Sequence, residues 1–71
     1  MKVKDVSQKV GGKIRKIRKE KGLSQERLAF EAGLNRAYIG YIERGERNPS
    51  IKVVARIAKI LKISLNELFK F

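Results

Sequence analysis

The sequence predicts an all-α protein built from five short helices, and three observations support this fold class. Apolar residues recur at intervals of three and four along most of the chain, as on a helix buried along one face. Glycines and short polar residues that cap helices separate these segments. No segment alternates apolar and polar residues as a half-buried strand does. The 71 residues suffice for one domain, which we expect to span 1–71.

The first helix is predicted over 6–21. Its apolar residues fall on one helical face: Val6, Val10, Ile14 and Ile17. Gly22 is the expected C-terminal cap, because glycine readily adopts the left-handed conformation that ends many helices. Gly11 and Gly12 weaken the front half, since glycine costs about 1 kcal/mol relative to alanine inside a helix. A start as late as Gly12 therefore stays open.

The second helix is predicted over 24–32 and the third over 35–45. Ser24 and Asn35 are good N-caps, because their side-chain oxygens accept hydrogen bonds from the first helical N–H groups. Only the residues GLN connect the two helices. A junction this short that contains a glycine is typical of the helix-turn-helix motif, which we place at about 24–44.

The fourth helix is predicted over 51–62, and the fifth over 65–69. Ser50 is the N-cap of the fourth helix, and Ser64 with Glu67 forms a capping box at the start of the fifth. One apolar stripe of the fourth helix is predicted to face the core: Ile51, Val54, Ala55, Ala58 and Leu61. A second stripe is either buried in the monomer or available to a partner: Val53, Ile57 and Ile60.

The third helix has an outer face without an acidic residue. At about 100° per residue, Ile39 and Ile42 point into the core. The opposite face consists of Arg36, Ala37, Gly40, Tyr41 and Arg44. Because Gly40 lacks a side chain, another molecule can approach the backbone closely. Such a strip suits the DNA major groove, where arginine pairs with guanine and a methyl group meets thymine. A solvent-facing helix with a tolerated glycine is the alternative.

The chain carries 18 Lys and Arg against 7 Asp and Glu, a net charge of +11, and therefore attracts polyanions. Nucleic acid is the favoured partner, with an anionic membrane surface as an alternative. Because His and Cys are missing, we expect no catalytic residue and no metal site. We also expect no cofactor and no small-molecule ligand. No apolar run approaches a membrane span and no signal peptide is recognisable, so we expect a cytoplasmic protein that does not associate with membranes.

The segment LSQERLAFEAGLNRAYIGYIERGERNPSI resembles the Cro/lambda-repressor-type (Xre) helix-turn-helix. The resemblance covers about 14–69. The motifs that carry it are Ser24-Gln25, Leu28-Ala29, Gly33-Leu34, Ile39, Ile42-Glu43, Gly45, Leu65, Leu68 and Phe69. Within the family, GLNRAYIGYIERGERNPS is most similar to the controller proteins of restriction–modification systems. The resemblance implies a compact five-helix, lambda-repressor-like DNA-binding domain.

The resemblance also implies roles for the matching positions. Gln25 would meet a phosphate, while Arg36 and Ala37 would read bases. Arg47 and Asn48 would touch the sugar–phosphate backbone or a base edge. Combined with the outer face of the third helix, the expected DNA contacts are Gln25, Asn35, Arg36, Ala37, Tyr38, Gly40, Tyr41, Arg44, Arg47 and Asn48.

Two further pairings are expected to be structural. Arg18 and Glu43 match an ion pair that joins the first and third helices in phage repressors. Glu26 is a candidate partner for Arg47, which it would position before DNA arrives.

Helix-turn-helix modules usually act as twofold dimers on half-sites about 34 Å apart, because one recognition helix contacts few base pairs. We expect the C-terminal part, 51–71, to supply the interface of a homodimer. The expected interface residues are Val53, Ile57, Ile60, Leu65, Phe69 and Phe71.

These observations favour a sequence-specific double-stranded DNA-binding transcriptional regulator, bound to a palindromic operator as a homodimer. One alternative is an antitoxin-like or other protein-interaction module for which DNA binding is secondary. A membrane-surface peptide is the other alternative, suggested by the basic first helix.

Overall fold

Five helices follow one another in the computed structural model, which describes residues 3–71. They are α1 (Val3–Glu20), α2 (Gln25–Ala32), α3 (Arg36–Glu43), α4 (Ile51–Leu61) and α5 (Leu65–Leu68). No strand occurs within this range, so the all-α prediction is confirmed. Residues 1 and 2 of the predicted domain lie outside the described residues. The predicted bounds agree to within three residues, and the late start at Gly12 is wrong because α1 passes through both of its glycines.

The predicted caps are present at four helix starts. Each cap side chain accepts a hydrogen bond from a backbone N–H two or three residues later, and these residues are Ser24, Asn35, Ser50 and Ser64. Left-handed residues follow the helices: Gly22, Gly33, Gly45 and Lys62. Lys62 adopts φ +59° although it is not a glycine, and it ends α4 one residue earlier than predicted. Because capping depends only on residues close together in the chain, most of these helix ends can be predicted from the sequence.

All five helices contribute side chains to the core, in which α3 packs against α1 and α2, and α4 packs against α2 and α5. The fully buried large side chains are Ile14, Leu28, Ile39, Ile42, Ile57, Leu61 and Leu68. The predicted burial of two α4 residues is wrong, since Ile51 is 61% exposed and Ala55 is also exposed. Ile57 is fully buried, so its assignment to the dimer surface is wrong as well. The buried face of α4 is centred between its two predicted stripes, because α4 packs against both α2 and α5.

Helix α1 crosses α3 and the following turn at backbone distance. A Cβ atom on Gly11 would lie 2.0 Å from the carbonyl oxygen of Ile42. A Cβ atom on Gly45, where φ is +74°, would lie 2.4 Å from the Gln8 Cγ atom. A Cβ atom on Gly12, by contrast, would meet nothing within 4 Å. The N-terminal half of α1 therefore braces the end of α3.

Within residues 3–71, no helix is long and apolar enough to cross a membrane.

Candidate nucleic-acid interface

The helix-turn-helix consists of α2, a tight turn and α3. Gly33 adopts φ +68° and its N–H donates to the carbonyl of Phe30, while the N–H of Leu34 donates to the carbonyl of Ala29. Ile39 and Ile42 anchor α3 in the core, as predicted. The opposite side of α3 therefore faces outward, and its exposed residues are Arg36, Ala37, Tyr41 and Arg44.

A buried polar network fixes α3 relative to α1 and α2. Arg18 Nε lies 2.6 Å from Glu43 Oε2, and Arg18 Nη2 lies 3.1 Å from Glu43 Oε1. Arg18 Nη1 donates to the carbonyl of Leu23 at 2.7 Å. Gln25 Nε2 donates to Glu43 Oε1 at 3.0 Å. The expected pair of Arg18 and Glu43 is thus present, and Glu43 also holds the amide of Gln25 at the start of α2.

Asn35 and Tyr38 are less available than the outer face of α3. The Oδ1 atom of Asn35 already accepts the N–H of Ala37 at 2.7 Å, so its side chain caps α3. The side chain of Tyr38 is half-buried and packs against the core. Of the residues expected to open the recognition helix, Arg36 and Ala37 are exposed.

Arg44 folds back over its own helix. Its Nε atom lies 2.8 Å from Glu46 Oε2. The Nη1 atom would lie 3.1 Å from a Cβ atom on Gly40, and the guanidinium stands 5.2 Å from the centre of the Tyr41 ring. Gly40 is consequently buried, and the expectation of a bare strip at Gly40 is wrong. Hydrogen bonding to Glu46 raises the pKa of Arg44, so this side chain stays charged at any physiological pH.

Arg47 also lies against Tyr41, with its guanidinium 5.3 Å from the ring centre. The tyrosine face attracts cations through its quadrupole. The expected pairing of Glu26 with Arg47 is therefore wrong. Glu26 lies elsewhere, in the cleft that contains Arg36.

The cleft between α1 and the start of α2 contains an arginine, Arg15, that was not among the predicted DNA contacts. This open cleft of about 570 Å³ is lined by Arg15, Arg18, Ser24, Gln25, Glu26 and Arg36. Arg15 also borders a second cleft with Gln25 and Arg44. Arg15 stands three residues before Arg18 on α1, and that spacing places both on one helix face. The spacing from Arg18 was the feature of the sequence from which Arg15 could have been predicted.

The residues of the turn after α3 line another open cleft, of about 610 Å³. Its lining residues are Ser7, Gln8, Arg44, Gly45, Glu46, Arg47 and Asn48. Arg47 and Asn48 are exposed at its edge. The structure thus gathers the expected contacts into two groups, one around Arg36 and one around Arg44.

The C-terminal residues expected at a dimer interface differ in exposure. Val53, Ile60 and Leu65 are half-buried and pack against the core. Phe69 is 38% and Phe71 is 58% exposed, and their rings meet edge to face with centres 6.5 Å apart. Within residues 3–71, no group of carboxylates could hold a metal ion.

Known proteins resemble this chain in sequence and architecture. A helix-turn-helix family profile, HTH_3, matches residues 14–68. Control protein C.BamHI from Bacillus amyloliquefaciens is 47% identical over 62 residues, which cover 86% of this chain and 76% of that protein.

Two solved structures are similar. The restriction-modification controller protein C.AhdI from Aeromonas hydrophila has a TM-score of 0.86 at 48% identity, covering 89% of this chain and 96% of that one. The master regulator for biofilm formation SinR, solved in complex with DNA, has a TM-score of 0.81 at 37% identity, covering 86% and 98%. With its cap-defined α2 and α3 and an outward-facing recognition helix, the chain belongs to the Xre-type helix-turn-helix family of DNA-binding regulators.

Proposed function

We propose that this protein is a sequence-specific transcriptional regulator that places α3 in the major groove of double-stranded DNA, as a restriction–modification controller. The observation that carries the proposal is the outer face of α3, which presents arginines and no acidic residue. The buried network around Glu43 holds this face in a fixed position relative to the start of α2. A net charge of +11 supplies the general attraction to DNA.

Five of the expected contacts, together with Arg15, then have a part in binding. Arg36 and Ala37 lie at the start of α3 and read base edges, because the first turn of a recognition helix enters the groove. Gln25 lies at the start of α2, and Arg15 borders the same cleft, so both contact phosphates. Arg47 and Asn48 contact the backbone beyond the other end of α3.

We also propose that two copies bind together through their C-terminal surfaces. Phe69 and Phe71 are exposed aromatic side chains, and Val53, Ile60 and Leu65 are only half-buried. Ile57 is excluded from this surface because it is fully buried. A DNA-binding regulator acts where the DNA lies, which supports a cytoplasmic location.

Selection of bound duplexes from a random library tests the function and the dimer together. We expect one enriched motif that occurs as two inverted half-sites, with centres about 34 Å or a multiple of one helical turn apart. Footprinting should show protection of both half-sites at one protein concentration. Recovery of no motif would contradict the proposed function, and a single unrepeated half-site would contradict the dimer alone.

Arg36→Ala is expected to relax discrimination at one base pair of each half-site. The loss should be about 1–3 kcal/mol for the preferred base, because a bidentate contact to guanine is removed. Titration of duplexes that differ at single positions measures this loss. Arg15→Ala is the matched control, since it removes the same charge from the same cleft. It should weaken all duplexes alike, and equal losses at every position for Arg36→Ala would argue against base reading.

A further inference from the structure

An acidic residue outside α3 controls the position of Arg44. Glu46 lies two residues after Arg44, and Gly45 between them turns the chain through its left-handed conformation. The carboxylate meets the side of the guanidinium, with Glu46 Oε2 2.8 Å from Arg44 Nε and Glu46 Oε1 3.4 Å from Arg44 Nη2. This pair lies at the end of the helix face proposed to enter the groove.

The guanidinium of Arg44 also packs against the surface of α3. The missing side chain of Gly40 leaves space for Arg44 Nη1, which would stand 3.1 Å from a Cβ atom there. On another side the guanidinium contacts the ring of Tyr41, and Arg47 approaches the same ring. Gly40, Tyr41 and Glu46 therefore hold one arginine flat against the proposed DNA-facing surface.

We propose that Glu46 is a specificity-determining residue, because it keeps Arg44 from serving as an indiscriminate phosphate ligand. This inference rests on the proposed function. An unrestrained arginine would bind a phosphate of any sequence, and phosphate contacts carry no sequence information. Glu46 satisfies two of the N–H groups that such a phosphate would take. A base edge with two acceptors, such as O6 and N7 of guanine, matches the same donor geometry and can replace the carboxylate.

Arg44 can exchange the Glu46 carboxylate for a base edge at little energetic cost, because the Arg44–Glu46 ion pair is open to solvent. The side chains of Arg44 and Glu46 are 55% and 52% exposed, and exposed ion pairs contribute little to stability. The carboxylate also repels nearby phosphates, so it disfavours any complex in which Arg44 has not found a matching base. Glu46 thus lowers affinity for arbitrary DNA more than affinity for the preferred site.

Glu46→Gln tests the inference, with Glu31→Gln as its matched control. Glu31 pairs with Arg27 on α2 at 2.7 Å, so both variants break an exposed Arg–Glu pair and change net charge equally. The probes are the duplex selected by the wild type and a random-sequence duplex of equal length. For Glu46→Gln we expect about three- to tenfold tighter binding to the random duplex and less than about twofold change on the selected one. The salt dependence on random DNA should steepen by about 0.9, the slope of one added phosphate contact.

The Arg44→Gln background separates the pair from the charge of Glu46 alone. There, adding Glu46→Gln should leave the ratio of the two affinities unchanged, because no guanidinium remains to be released. The ratio meant is the affinity for the selected duplex divided by the affinity for the random duplex. If Glu46→Gln lowered this ratio in the Arg44→Gln background as much as in the wild type, the proposal would be overturned. A Glu46→Gln variant that behaves like Glu31→Gln would overturn it as well. If the wild type itself does not distinguish the two duplexes, the proposed function fails instead.

Discussion

Glu43→Leu is expected to lower the free energy of unfolding by about 3–5 kcal/mol, since it leaves a buried guanidinium without its carboxylate. Arg18 is only 6% exposed, and after the substitution it would retain the carbonyl of Leu23 as its hydrogen-bond acceptor. A domain of this size has a total stability of roughly 4–11 kcal/mol. The variant should therefore unfold at a much lower urea concentration, as followed by the far-ultraviolet circular dichroism of its helices.

Two further variants show whether the buried charge is the cause. Glu31→Leu removes an exposed partner of Arg27 and should cost less than about 1 kcal/mol. Combining Glu43→Leu with Arg18→Met should recover most of the loss, because an apolar pair of similar volume can replace a buried ion pair at little cost. A Glu43→Leu variant as stable as the Glu31→Leu control would contradict the assignment, as would a double variant no more stable than Glu43→Leu.

The loss should extend to DNA binding in any fraction that stays folded. Glu43 accepts hydrogen bonds from Arg18 on α1 and from Gln25 on α2, while its own backbone belongs to α3. The start of α2 and the recognition face of α3 are thus positioned through one carboxylate. Its removal should weaken binding to all duplexes.

The fold was predictable from the sequence because its determinants are local. The capping residues Ser24, Asn35, Ser50 and Ser64 each act within three positions of the helix they begin. The glycines that end α1 and α2 adopt left-handed conformations that few other residues accept. The errors on α4 have a different origin. Whether Ile51 or Ile57 is buried depends on how α2 and α5 sit against the helix, and the helix period alone does not specify that.

The sequence predicted which residues of α3 face outward at the candidate site, but it did not predict the contacts that their side chains make. The helix period places Arg36 and Arg44 on one face, as the structure has them. It does not specify where a long side chain ends, and Arg44 reaches back over Gly40 because Gly45 returns Glu46 to it. Arg15 was missed for a similar reason, since its proximity to Gln25 depends on the packing of α1 against α2.

Substitution of two adjacent glycines by alanine is expected to change stability in opposite directions. At Gly11 a methyl group would stand 2.0 Å from the carbonyl oxygen of Ile42, which is backbone and cannot rotate away. Helix α1 must then move away from α3, and overpacking of this kind costs about 1–3 kcal/mol or more. At Gly12 a methyl group would meet nothing within 4 Å. Gly12→Ala should therefore stabilise by about 0.5–1 kcal/mol, the ordinary helical preference for alanine.

Urea unfolding of the two variants beside the wild type measures this difference. Because both substitutions add one methyl group at neighbouring positions of α1, their effects on intrinsic helix propensity are the same. The difference between the two variants, about 1–3 kcal/mol or more, then reports the contact between α1 and α3 alone. If both variants were stabilised, α1 would not approach Ile42 as closely as the structure has it. If Gly11→Ala alone is destabilised, the glycine pair in α1 is explained by one close crossing at Gly11, and Gly12 is open to stabilising substitution.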